Sequence, residues 1–355
     1  MVAVLGFDIG GANTKAAIIH AENGHVLHVR VATEYFPIWK QPDKLSEVIV
    51  GLKERFGQIK IDALGVTMTA ELSDAYQTKQ EGVTKILGCV KTAFPNVPIY
   101  VLDADAEMLP LKDALERPLE VAAANWAATG WLVAQQLKNA VVVDVGSTST
   151  SIIPIVEGVV AAKGKTDLAK LICGELVYTG SLRTNVAAIV QSIPVKGEVA
   201  SVSSELFALS GDVHLVLGNI NAADYTSETA DGRGRTAPEA LTRLARVVCA
   251  DTDMLTKKEI TEIAQYIYGQ QVLQIVAGLR KVYSYTKALV SSKVPVVVTG
   301  LGKVFLARKA AEQIGADEIV DLDLLLPQQA VLATPAVGTA LMAASKFTGG
   351  MLSWR

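Results

Sequence analysis

The chain opens on two apolar runs separated by a polar turn: Val2–Phe7, the heptapeptide DIGGANT at 8–14, then Lys15–Ile19. This reads as strand, glycine turn, strand, and a third apolar run follows at His25–Val31. Leu45, Val48, Ile49, Leu52 and Phe56 then recur at the spacing that places them on one face of a helix. Strand patterns at Ala63–Met68 and Ile99–Leu102 alternate with helical stretches near Val83 and Val121. Three early strands followed by alternating helices and strands predict a mixed sheet flanked by helices, an α/β architecture.

The pattern restarts at 141–155, VVVDVGSTSTSIIPI, again strand, tight turn, strand. Laid over the beginning, Asp144 falls on Asp8, Gly146 on Gly10 and Thr150 on Thr14. Thr256 and Glu259 have the spacing of a capping box. They introduce a long helix that turns Ile260, Ile263, Ile267, Ile275 and Leu279 inward. A strand Val294–Thr299, the turn GLG and a helix from about Val304 come next. Near the end, Thr334 is expected to cap a helix whose first turn contains Pro335. The weak internal repeat predicts two similar α/β halves, residues 1–130 with a returning helix at 334–355, and residues 131–333. No low-complexity linker divides them, so the hinge is expected to be helical, near 125–139.

Composition narrows the class. The 355 residues suffice for about two domains. Half are apolar and 19% are charged, which suits large cores and not disorder. A formal net charge of -3, with both signs spread along the chain, gives no electrostatic case for nucleic acid or an anionic membrane. The apolar stretch Val121–Ala134 is shorter than the roughly 20 residues a spanning helix needs, and Asn125 interrupts it. It is read as a buried helix. The N-terminus lacks a basic leader and carries Asp8 within its apolar start, so no signal peptide is expected. Cys89, Cys173 and Cys249 lie far apart and form no CxxC pair, as suits buried free thiols in a reducing cytoplasm. Four histidines, His20, His25, His28 and His214, show no clustered metal-ligand spacing.

The two turns carry the candidate chemistry. A tight turn between strands points successive backbone N–H groups at one spot and makes an anion nest. In DIGGANTK the nest is Gly10, Gly11, Asn13 and Thr14; in DVGSTSTS it is Gly146, Ser147, Thr148 and Ser149. Glycine is expected there for positive φ and for close approach. Each turn opens with a carboxylate, and a carboxylate beside phosphate is repulsive unless a divalent cation lies between them. Asp8 and Asp144 are therefore read as orienting Mg²⁺ or its waters. Lys15 adds a point charge suited to phosphate oxygens. In VVVTGLGK at 296–303, Gly300 and Gly302 precede a helix N-terminus, another anion-friendly arrangement.

This ordered set resembles the phosphate-1, phosphate-2 and adenosine-site motifs of the actin, sugar-kinase and hydantoinase/oxoprolinase superfamily. The resemblance implies two ribonuclease-H-like domains with an interdomain cleft. Five further segments are rich in unusual polar residues: YFPIWKQPDKL (35–45), TAELSDAYQTKQEGV (69–83), AANWAATG (123–130), YTGSLRTNV (178–186) and DYTSETADGRGRT (224–236). As a series they resemble the hydantoinase/oxoprolinase-like family of methanofuran biosynthesis in archaea and methylotrophs, also labelled a tetrahydromethanopterin-linked C1-transfer family. The likeness runs from residue 4 to about 340. One departure is Ser151, where related hydantoinases carry an aspartate after the hydroxyl run; it shifts weight onto Asp8 and Asp144.

The resemblance implies a transferase in which the phenol of γ-glutamyltyramine displaces diphosphate from an aminomethyl-furanmethyl carbon, giving an aryl ether and pyrophosphate. Oriented N–H groups, Lys15 and Mg²⁺ would stabilise the departing diphosphate. The phenol needs a proton acceptor, for which Asp8, Glu71 and Asp144 are candidates. Arg183 is a candidate for the glutamyl carboxylate. The substrate's own diphosphate would take the place of nucleotide phosphates, so no ATP is expected. Partners would be these small molecules alone, in the cytoplasm, with neither nucleic acid nor membrane; the pattern does not exclude a homo-oligomer. The alternatives are an ATP-dependent small-molecule kinase, a hydantoinase-type amidohydrolase and an actin-like nucleotide-binding regulator.

Overall fold

The computed structural model describes residues 1–354 and resolves into two compact units. The first comprises Met1–Asn139, Ile153–Lys170 and the chain from Leu322 onward; the second comprises Ala140–Ile152 and Leu171–Asp321.

The first unit is built on a seven-stranded sheet. Its strands are β1 (Val2–Ile9), β2 (Asn13–Glu22), β3 (His25–Tyr35), β4 (Ala63–Met68), β5 (Ile99–Leu102) and β6 (Met108–Pro110). The spatial order is β3-β2-β1-β4-β5-β6, with the short strand Ser353–Trp354 outside β3. β1, β2 and β3 are antiparallel neighbours, whereas β1, β4 and β5 run parallel. The early apolar runs and the strands at 63–68 and 99–102 thus form as the pattern predicts. Leu45, Ile49, Leu52 and Phe56 are buried, on and just after the helix Leu45–Glu54. Close approach of the helix Thr334–Thr348 to the sheet depends on two glycines. A Cβ on Gly6 would lie 2.3 Å from Ala336 O, and one on Gly65 would lie 2.4 Å from Thr339 O.

The restart is equally plain: β7 (Ala140–Val145) and β8 (Thr150–Val156) flank the second turn. β8 begins in the second unit and enters the first at Ile153. β7 pairs in parallel with Val296–Thr299, which pairs in parallel with Ile319–Asp321. The helix Lys257–Leu289 carries the expected capping box and buries Ile260, Ile263, Ile267, Ile275 and Leu279. It contributes to two apolar clusters, one under the sheet and one under residues 186–267. The cysteines form no disulfide among the described residues, but they are not buried as expected: Cys89 and Cys173 are half-buried and Cys249 is exposed.

Three local expectations are corrected. The stretch Val121–Ala134 is buried but is not one helix: Pro118–Val121 ends, and a new helix runs Asn125–Ala134. Ala123 between them has φ 53°, a left-handed conformation that costs a non-glycine residue about 1 kcal/mol or more and ends a helix. Thr334 does not cap; it is the first helical residue, and its hydroxyl donates back to Val331 O at 3.2 Å. The strand before GLG starts at Val296 because Pro295 offers no N–H, although its carbonyl accepts from Val141 N at 3.0 Å. The helix after GLG opens with a wide turn, Lys303–Ala307, before Arg308–Gln313.

Candidate functional site: two equivalent turns and a buried carboxylate

The first turn connects β1 to β2. Gly10 N donates to Asn13 O at 3.0 Å, closing it. Its carbonyls are then consumed from one side: Phe36 N donates to Ala12 O at 2.9 Å and Ile38 N to Gly11 O at 3.0 Å. The second turn is closed at the corresponding place, Gly146 N to Ser149 O at 3.0 Å. Its carbonyls are consumed by a strap at 181–183. Ser181 N donates to Gly146 O, and Leu182 N and Arg183 N both donate to Ser147 O, at 2.9 to 3.0 Å. Among the described residues, the amides of Gly11, Ala12, Ser147 and Thr148 donate to no main-chain carbonyl. With the acceptors satisfied and these donors unspent, both turns suit an anion.

Positive φ accounts for only one of the five expected site glycines, whereas close approach accounts for Gly10, Gly300 and Gly302. Gly10, Gly11, Gly146 and Gly302 are not left-handed; of the expected site glycines only Gly300 is, at φ 85°. A Cβ on Gly10 would sit 2.7 Å from Asn13 O, whereas one on Gly11 would meet nothing within 4 Å. Gly300 and Gly302 press on the second turn's first strand. A Cβ on Gly300 would lie 2.6 Å from an Asp144 carboxylate oxygen, and one on Gly302 would lie 2.5 Å from Val145 Cγ1. Gly180 does the same from the strap, since its Cβ would come 2.6 Å from Thr148 C. Gly180 was not singled out by sequence; its place in a polar segment directly before Ser181–Arg183 was the available signal.

Asp8 and Lys15 are directly paired across β1 and β2, so their side chains share a face. Burial raises the Asp8 carboxyl above the usual range, while Lys15 and Asn125 oppose the rise. Asn125 Nδ2 donates to Asp8 Oδ1 at 3.5 Å. The helix break at Ala123 puts Asn125 at a helix start; in the sequence Asn125 shows only as a polar interruption of an apolar stretch. Thr14 is fully buried and its hydroxyl has no hydrogen-bond partner among the described residues.

In the second unit Asp144 is half-buried at the end of β7, level with Thr299 of the neighbouring strand. Arg183 Nη1 donates to Thr148 Oγ1 at 3.3 Å, which brings a guanidinium onto the turn. Ser151 lies on β8 opposite Leu176. A buried polar chain braces the strap: His214 Nε2 meets Gln271 Oε1 at 3.0 Å, and Gln271 Nε2 donates to Thr179 Oγ1 and Gly180 O, both at 2.9 Å. Burial pulls His214 down to about 3, so the ring is neutral, and both its nitrogens are engaged, one with Gln271 and the other with Asn219 at 3.2 Å.

Glu71 belongs to the first unit. β4 ends beside β1, Thr69 N donates to Ile9 O at 2.9 Å, and the single turn Ala70–Leu72 follows. Glu71 is only 1% exposed, and neither carboxylate oxygen has a hydrogen-bond partner among the described residues. Lys79 Nζ stands 3.6 Å away. Burial pushes this carboxyl up to about 7, with Lys79 opposing. No group of three or more His, Cys, Asp or Glu among the described residues is arranged to hold a metal. Magnesium often takes only one or two carboxylates together with substrate phosphates and water, so a carboxylate beside an anion-binding turn, Asp8 in the first unit or Asp144 in the second, fits that donor set. No helix among the described residues is long and apolar enough to cross a membrane.

Residues 62–346 match the family described as hydantoinase/oxoprolinase. The chain belongs to the hydantoinase/oxoprolinase family. Within it, the chain is 37% identical over 343 residues to the (4-{4-[2-(gamma-L-glutamylamino)ethyl]phenoxymethyl}furan-2-yl)methanamine synthase of Methanocaldococcus jannaschii, covering 96% of this chain and 97% of that one. It is 36% identical over 207 residues to the synthase of the same name from Methanococcus vannielii, covering 58% of this chain and 90% of the relative. Among solved structures, a nucleotide-free acetone carboxylase aligns with 96% of this chain and 70% of its own, at TM-score 0.51 and 12% identity, which speaks to the fold alone. The chain thus shares its mixed α/β fold with that carboxylase. The hydantoinase/oxoprolinase-like synthase family is the one the polar segments resembled.

Proposed function

We propose that this chain is a synthase of the same aryl ether. It joins the phenol oxygen of γ-glutamyltyramine to the carbon of an aminomethyl-furanmethyl diphosphate and releases pyrophosphate. The observation that carries this reading is the extent of the match to the M. jannaschii synthase, 96% of the chain, far beyond the two turns. The furan ring delocalises positive charge on the reacting carbon, so the main task is to stabilise charge growing on the leaving diphosphate. The unspent amides of the two turns and the Lys15 ammonium are donors of the kind that accomplishes this. Arg183, held at the second turn through Thr148, serves the anion there and not a remote glutamyl carboxylate.

Magnesium, held at either turn through its carboxylate, Asp8 or Asp144, or through that carboxylate's waters, would supply further charge neutralisation at the phosphates. ATP is neither consumed nor required, because the substrate brings its own diphosphate. The test is an assay with both substrates, following ether by mass, with pyrophosphate and ADP measured in parallel. Ether and pyrophosphate in equal amounts are expected, with turnover lost in EDTA and restored by magnesium. ADP in proportion to ether would overturn the ATP-independent reading, and absence of ether would overturn the function.

A further inference from the structure

Glu71 is one of three carboxylates weighed as proton acceptor, and its surroundings distinguish it from Asp8 and Asp144. Its main chain is fixed: a Cβ on Gly82 would lie 2.5 Å from Glu71 O, so the helix Lys79–Ala93 presses directly on that turn. Its carboxylate oxygens, by contrast, are buried and engaged in no hydrogen bond among the described residues. Burying a carboxylate without hydrogen bonds is costly unless the group has work to do.

The only ion pair to Glu71 among the described residues is with Lys79, and it is restrained. Lys79 is the first residue of its helix, whose start is fixed by Thr78 accepting from Glu81 N at 3.1 Å. Its ammonium is drawn to Asp167 Oδ2 at 2.5 Å, which leaves it 3.6 Å from Glu71, beyond hydrogen-bond reach. Asp167 opens a short helix on which Lys170 faces elsewhere, over the Trp126 ring at 3.5 Å. Lys79 and Asp167 are thus the charged groups that bear on Glu71 from the two elements beside it.

We propose that Glu71 takes the phenol proton and that Lys79 and Asp167 are positioning residues that set when it can do so. This rests on the ether-forming reading above. The phenol O–H bond breaks and its proton goes to a Glu71 carboxylate oxygen. The phenol oxygen's electron pair forms the new bond to the furanmethyl carbon. The bond from that carbon to diphosphate breaks, and its electron pair leaves with pyrophosphate. A restrained ammonium suits this step. A full hydrogen bond from Lys79 would make Glu71 too weak a base, and no cation at all would leave it protonated at neutral pH.

Infrared difference spectra against pH, with the Glu71→Gln variant subtracted, report protonation of this one carboxyl without turnover. In wild-type protein the carbonyl band is expected to disappear near pH 7. Lys79→Met should move that midpoint up, by about one unit or more. Asp167→Asn should move it down, because a like charge is removed and Lys79 is released toward Glu71. Lys79→Arg should restore the wild-type midpoint. The acid limb of kcat/KM should shift in the same order, and Glu71→Gln should have no such limb. Midpoints that stay put, or move in the same direction in both charge-removing variants, overturn the positioning assignment even if the wild type makes no ether. A wild type that makes no ether defeats the functional reading separately, because the spectra do not depend on it.

Discussion

Two enclosed acids, Asp212 in the second unit and Glu71 in the first, are treated in opposite ways. In the second unit Asp212 accepts from Arg243 Nε at 2.8 Å and from Tyr225 OH at 3.3 Å, and its second oxygen accepts from Leu209 N at 3.0 Å. Arg243, also fully buried, continues to Asp231 and Gly234 O and thereby anchors the polar loop 224–236. In the first unit neither carboxylate oxygen of Glu71 has a hydrogen-bond partner within ordinary distance among the described residues, and one cation stands 3.6 Å away. Burial raises both carboxyls, but at Asp212 the bonds oppose it from every side. Buried charge that is fully satisfied is scaffold; buried charge left unsatisfied marks chemistry.

The sharpest way to break this contrast is to remove each acid. Losing one partner of a buried, hydrogen-bonded pair costs about 3–5 kcal/mol. Asp212→Ala should therefore unfold at a much lower denaturant midpoint, and its residual folded fraction should turn over normally. A small stability loss would show that the Arg243 network is not structural.

The charge at the turns comes next. Lys15 is built into β2, whereas the corresponding place on β8 is Ser151 and the second turn takes its cation from the strap. If Lys15 stabilises charge that grows as the C–O bond breaks, Lys15→Ala should lower kcat about a hundredfold, roughly 3 kcal/mol, with a smaller change in KM. An unchanged kcat in well-folded protein would remove the first turn from the diphosphate site.

Glu71 also predicts a stability that depends on pH in an unusual direction. Its folded carboxyl titrates near 7 and its unfolded one near 4.5. Between those values the folded state holds the extra proton, so stability falls as pH rises through the window. Relative to Glu71→Gln, the wild type should lose about 3 kcal/mol between pH 4.5 and 7, read by urea unfolding across pH. Parallel curves for the two proteins would mean that Glu71 is not held as described.

Much of this was legible in the chain because its signals are local. The strand–turn–strand repeats, the inward isoleucines of Lys257–Leu289 and the capping box at Thr256 each depend on residues within a few turns of one another. What was missed depends on approach in space. Asn125 reaches Asp8 only because Ala123 breaks a helix that the apolar pattern made continuous. Gly180 matters through Thr148, and Lys79 through Asp167, 88 residues further along the chain. Glu71 stood out only as one acid in a polar segment; the absence of hydrogen bonds to it appears only once the backbone around it is folded.

The smallest test compares the threonines that end the turns, which sequence made equivalent. Thr150 donates its hydroxyl to Thr179 O at 2.8 Å, inside the strap that covers the second turn. Thr14, at the matching place, is as deeply buried but its hydroxyl meets no partner among the described residues. Threonine and valine have nearly the same shape, so the exchange isolates the hydroxyl. Thr150→Val leaves a buried carbonyl without that donor and should cost about 1–2 kcal/mol. Thr14→Val removes an unsatisfied group and should be neutral, or stabilising by up to about 1 kcal/mol. Calorimetry on both variants, with ether formation measured alongside, decides the matter. If Thr14→Val folds as well as the wild type but loses turnover, its hydroxyl turns outward to the diphosphate during the reaction, and the first turn binds with a side chain as well as with its backbone.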